Sequence, residues 1–164
     1  MAEQGDFPPI FICGASRSGT TLMKKILAAN SDYAFPSSEV TYFTVFIKHW
    51  KNKVNIDWHV ALDDFCERRT EFMPVKYDIW TRFQNNKDES FRGLFIAIIQ
   101  AFAASQGKTK WGIKCPFMEH ELPEIIAMFP QAKIIYCIRM PQAMAASRKY
   151  QYRRSPQKFK KLFV

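Results

Sequence analysis

Apolar residues follow two alternating rhythms along this chain. Short segments at 10–13 (IFIC), 109–113 (TKWGI) and 133–138 (KIIYCI) are read as strands, the first an unbroken apolar run, with a shorter one at 33–36 (YAFP). Between them the spacing switches to that of helices. Apolar residues at 22, 23, 26, 27 and 28 predict a helix over 20–30. Those at 58, 61, 62, 65 and 66 predict one that Asp57 caps, and those at 91, 94, 95, 98, 99 and 102 give the strongest stripe of all. A helix is expected over 37–50, capped by Ser37 or Ser38, and another over 122–129 with Pro123 in its first turn. Pro141 opens a last one, to about residue 154. Residues 70–87 show no period and are read as a long loop. Strands alternating with helices imply an α/β fold, a parallel sheet flanked by helices. There is no internal repeat and no interdomain linker, so a single domain is expected.

The 164 residues are 48% apolar and 15% aromatic, enough for a real core. The longest apolar helical run, LFIAII at 94–99, falls far short of the roughly 20 residues of a membrane span. The first ten residues carry Glu3 and Asp6 and no apolar stretch of the secretory kind. Cys13, Cys66, Cys115 and Cys137 form no C-x-x-C pair, which fits reduced thiols and a cytoplasmic location better than a disulfide frame or zinc.

Charge is placed unevenly. Residues 1–124 hold 15 Lys+Arg and 15 Asp+Glu, whereas 125–164 hold nine basic residues and no acid. The whole +9 excess therefore lies in the last forty residues and points to an anionic ligand, nucleic acid or membrane surface, or to a solvated basic helix. No nucleic-acid recognition module accompanies it.

The stretch GASRSGTT at 14–21 has the two glycines of a phosphate loop, G-x-x-x-x-G, and Thr21 where the final Ser/Thr belongs, but Thr20 stands in place of the lysine. It lies between a predicted strand and a predicted helix, so backbone N–H groups and a helix N-terminus face the same anion. In parallel sheets ligands bind beyond the C-terminal strand ends. Two more such ends carry cations, Lys114 and Arg139. An anion held by amides and basic side chains needs neither the lysine nor a metal.

On these residues the chain resembles PAPS-dependent sulfotransferases, in particular the tyrosylprotein-sulfotransferase-like branch. SRSGTTLMKKILAAN is similar to the 5′-phosphosulfate loop and first helix, KCPF at 114–117 to Lys-Asp-Pro-Phe, and FPQAKIIYCIRMPQAMAAS to the segment whose arginine precedes a serine by eight residues, here Arg139 and Ser147. Cys115 stands where Asp or Thr is usual, and Met140 where an acid is. The resemblance implies a P-loop-containing nucleotide-binding fold, PAPS as co-substrate, no metal, and a small-molecule or peptide hydroxyl acceptor. It implies that the loop from Arg17 through Ser18, Gly19, Thr20 and Thr21 cradles the 5′-phosphosulfate, with Arg17 and Lys114 at the developing charge. Arg139 and Ser147 would hold the 3′-phosphate. Glu39 is the expected general base, and the same residue equally suits the first turn of a helix. His49 and His59 are weaker candidates.

Members of this family generally continue past the arginine–serine helix. The chain is thus expected to be a fragment, a shortened member, or one completed by a partner chain or oligomer over its open C-terminal side. Two other readings stay open: an inactive PAPS-binding or interaction module, and a nucleotide-dependent kinase with a degenerate P-loop. The aromatic residues Trp50, Trp58, Phe72, Tyr77, Trp80 and Phe83 suit either an acceptor cleft or a core.

Overall fold

The computed structural model describes residues 8–30 and 32–154. Its elements run β1 (Ile10–Cys13), α1 (Thr20–Asn30), β2 (Tyr33–Ala34), α2 (Ile47–Trp50), α3 (Trp58–Arg68), α4 (Lys76–Asn86), α5 (Phe91–Ser105), β3 (Lys110–Lys114), α6 (Leu122–Met128), β4 (Lys133–Tyr136) and α7 (Pro141–Arg154). The four strands form one parallel sheet in the order β2-β3-β1-β4, flanked by helices, as the alternation predicts.

The order places β1 between β3 and β4, in register Ile12↔Lys114 and Ile12↔Ile135. The crossover from β1 to β2 runs one way along the sheet and that from β3 to β4 the other. Right-handed connections therefore put α1 and α6 on opposite faces. Alternation along the strands then divides the side chains. Phe11 and Ile113 enter the larger core, where Phe11 packs against Phe43, Phe95, Trp111 and Phe129 at centroid distances of 5.7–6.4 Å. Ile12 and its neighbour in register, Lys114, take the other face.

Local chemistry explains the helix starts. The Asp57 carboxylate accepts from the amides of His59 and Val60 at 3.0 and 3.1 Å, as the sequence predicts. Ser90 does the same for Gly93 at the head of α5. Pro123 sits in the first turn of α6, where its missing N–H costs nothing.

Two expectations are corrected. The helix predicted over 37–50 begins only at Tyr42, with a widened turn over Tyr42–Phe46 leading into α2. Ser37 and Ser38 cap nothing, because both turn to the carboxylate of Glu71. Residues 70–87 are not a loop: a tight 3-10 turn over Thr70–Val75 leads into α4. Within α4 only Ile79 and Phe83 are fully buried, with Trp80 packed beside them, and the polar residues between hid this narrow stripe. The aromatic residues of the middle segment resolve in favour of packing. Trp50, Phe72 and Phe83 are buried, Trp58 and Trp80 lie against the core, and Tyr77 alone of the six is exposed.

Candidate active site

At the end of β1 the chain turns through Gly14 (φ +137°), Arg17 (φ +74°) and Gly19 (φ +111°) into α1. Gly14 has no alternative. A Cβ there would lie 2.4 Å from the Cys137 carbonyl oxygen and 2.9 Å from Ser18 Oγ. The Ser18 amide closes the turn onto the Ala15 carbonyl at 3.1 Å. Thr20 begins the helix, so the first-turn amides there have no intrahelical acceptor and face outward from the N-terminus. Within the loop the Ser18 hydroxyl is buried and has no hydrogen-bond partner among the described residues. A buried hydroxyl left without a partner costs about 1–3 kcal/mol, which an anionic ligand oxygen would recover. Thr20 is buried beside it and Thr21 is exposed.

The neighbouring strand ends are tied to this loop beyond the regular ladder. Cys115 N–H donates to the Ile12 carbonyl at 3.1 Å, Phe117 N–H to Gly14 at 3.3 Å, and Cys137 N–H to Cys13 at 2.9 Å. On the β4 side, the Arg139 guanidinium donates to the Arg17 carbonyl at 3.4 Å, and Arg17 Nε donates to Ser147 Oγ of α7 at 3.0 Å. The guanidinium of residue 139 therefore stands on the same rim as the glycine turn. On the β3 side, Lys114 Nζ donates to Glu39 Oε1 at 2.6 Å; the lysine is 6% exposed and the carboxylate 50%. Glu39 precedes the helical turn at Tyr42, so it is not a first-turn helix acid. Arg17, Ser18, Gly19, Thr20, Thr21, Glu39, Lys114, Arg139 and Ser147 thus border one loop and its two flanking strand ends.

The sequence did not point to Lys24 or Glu71. Lys24 is one turn after Thr20, on the same side of α1, and its Nζ donates to the carbonyls of Pro36 and Ser37 at 2.8 and 2.7 Å. Burial, and then the nearby Lys114 ammonium, lowers its pKa. Glu71 holds the serines on the other side of the same segment. A basic residue four positions after Thr20 was a legible signal for the first; nothing local announced the second.

Burial raises the thiols here, Cys13 to about 11 with further help from Glu119, and Cys115 in the same direction. Both stay protonated at neutral pH and are poor nucleophiles. His49 packs on Trp50, and His59 on Trp80 and Asp63; none of these partners is a loop or strand-end residue. Among the described residues no group of three or more His, Cys, Asp or Glu is arranged to hold a metal ion, and no helix is long and apolar enough to cross a membrane.

What this arrangement can do is grip a polyanion at two points and place a carboxylate and an ammonium beside it. The sequence model of the sulfotransferase family matches residues 8–163. Compared with curated proteins and with solved structures, the chain has no match.

Proposed function

The chain belongs to the sulfotransferase family, and from that premise we propose that it moves a sulfuryl group from PAPS to a hydroxyl acceptor, a small molecule or a peptide, by in-line transfer. The tyrosylprotein-sulfotransferase-like branch, read from the loop and the two later motifs, is part of this proposal, as is a single PAPS-binding domain. The observation that carries it is the contact of Arg139 with the Arg17 carbonyl, which brings the groups assigned to the two ends of the nucleotide onto one rim.

In this reading Ser18, Gly19, Thr20 and Thr21 offer amides and hydroxyls to the 5′-phosphosulfate, and the orphaned Ser18 hydroxyl fits that use. Arg139 and Ser147 hold the 3′-phosphate, Arg139 through its forked donors. PAPS, when bound, supplies the sulfuryl group as an activated mixed anhydride. Arg17 and Lys114 stabilise negative charge on the leaving phosphate. Glu39 takes the proton of the acceptor hydroxyl. Its contact with Lys114 keeps the carboxylate oriented beside that charge until the acceptor arrives. The four cysteines, all free, support a reducing compartment and with it the cytoplasmic location.

The test is calorimetry with adenosine 3′,5′-bisphosphate against adenosine 5′-monophosphate. A charge-assisted bond to the extra phosphate is worth about 1.5–3 kcal/mol, so the bisphosphate should bind roughly 10- to 150-fold more tightly, and Arg139→Ala should abolish the preference. Equal affinity for the two in the unaltered protein overturns the reading. Sulfuryl transfer that is lost in Glu39→Gln, with bisphosphate binding intact, separates an enzyme from an inactive binding module. Magnesium-dependent ATP binding that displaces the bisphosphate would favour a kinase.

A further inference from the structure

Between β2 and the turn at Tyr42 the chain passes through Pro36, Ser37 and Ser38 before reaching Glu39. These residues have no regular secondary structure, yet their polar groups are fixed from two sides. The Glu71 carboxylate accepts the Ser37 amide at 2.9 Å, the Ser37 hydroxyl at 2.7 Å, the Ser38 amide at 3.2 Å and the Ser38 hydroxyl. A carboxylate has about four lone-pair sites, and this one fills all of them with two consecutive residues. From the opposite side, Lys24 Nζ donates to the carbonyls of Pro36 and Ser37. A cation and an anion, 47 positions apart, thus grip one short segment by its carbonyls and its amides.

The next residue is Glu39, whose carboxylate reaches Lys114. We propose that Glu71, working with Lys24, is a positioning residue that fixes residues 36–38 so that Glu39 stands against Lys114 in the geometry proton removal requires. The inference rests on the sulfotransferase reading of Glu39 and assigns a role to a residue outside every motif that carries it. Glu71 is not itself the base, since its acceptor sites are already filled by the serines. Glu39 is half exposed, and Lys114 is its only ion-pair partner among the described residues, so its place depends on the backbone that precedes it. A misplacement of about 1 Å in a catalytic group costs on the order of 100-fold in rate.

The experiment compares the full chain with Glu71→Ala and Glu71→Gln by two readouts. The first is hydrogen exchange at the Ser37 and Ser38 amides, which does not depend on any activity. Exchange should quicken at least tenfold in Glu71→Ala and less in Glu71→Gln, which keeps one acceptor oxygen. The second is steady-state transfer, where kcat should fall 10- to 100-fold while the KM for PAPS and the affinity for adenosine 3′,5′-bisphosphate stay within twofold. Unchanged exchange overturns the clamp, and quickened exchange with an unchanged kcat overturns its catalytic purpose. A parallel loss of nucleotide affinity makes Glu71 a general structural residue and overturns the proposal as well. If the unaltered protein transfers no sulfuryl group, the functional reading fails and takes the catalytic purpose with it, while the exchange result still decides whether the clamp exists. Should Glu71→Ala not fold, Glu71→Gln carries both readouts.

Discussion

Replacing Gly14 by alanine sets two costs against one control. At φ +137° an L-residue is strained by about 1–3 kcal/mol. The new Cβ also meets the Cys137 carbonyl oxygen at 2.4 Å, a backbone atom that no side-chain rotation can move aside. Relief requires β1 and β4 to separate by several tenths of an ångström against their ladder, an overpacking cost of about 1–3 kcal/mol. Gly19→Ala has the first cost without the second, since its φ is +111° and no heavy atom lies within 4 Å of the added carbon. Both substitutions regain the same ~0.4–1 kcal/mol by stiffening the unfolded chain, so this drops out of the comparison. With a urea m-value of about 2 kcal/mol/M, the clash alone should lower the midpoint of Gly14→Ala by ~0.5–1.5 M beyond that of Gly19→Ala. Urea unfolding followed by tryptophan fluorescence reads the difference. Equal midpoints would show that β4 and the loop are free to part, and the placement of Arg139 against Arg17 would lose its physical basis.

Stability should fall on the alkaline side. Cys13 and Cys66 are both raised from 9.0 to about 11 by burial, so their contribution is complete below pH 9 and lost as the pH rises towards 11. Each thiol accounts for at most ~3 kcal/mol, and Cys66→Ala should flatten the decline in urea midpoints measured from pH 8 to 11. The buried Tyr42 phenol, also raised and bonded to the Phe91 carbonyl, steepens the loss above pH 10. Asp57→Ala removes the cap of α3 and should cost about 1 kcal/mol, a drop of ~2–4 °C in Tm by calorimetry, with bisphosphate affinity unchanged. Lys114→Ala should abolish transfer in a PAPS assay while leaving the fold intact by circular dichroism, because removing the ammonium leaves Glu39 half in water rather than buried with an unmatched charge.

The parts of the molecule legible in the sequence are those whose causes are local. An apolar run followed by two glycines and a helical stripe specifies β1, its loop and α1. Asp57 marks a helix start from within its own turn, and Lys114 and Arg139 were legible because a strand end is a position in the chain before it is a place in space. What escaped was set by distant competitors. Ser37 and Ser38 look like helix caps until a carboxylate 34 residues away claims the first of them. The contact of Arg17 with Ser147 spans 130 positions, and only the placing of β4 beside β1 brings the two together. Helix α4 was lost because it buries so narrow a stripe that polar residues dominate any window across it.

The strand order also has a consequence for how the molecule comes to exist. β1 is synthesised before the two strands that flank it, β3 and β4, which are made roughly a hundred residues later. Parallel pairing of this kind closes long loops before any contact rewards them, and it slows folding. On the ribosome the glycine turn therefore emerges well before its walls, so a nascent chain halted before residue 133 should lack the cradle proposed for the nucleotide.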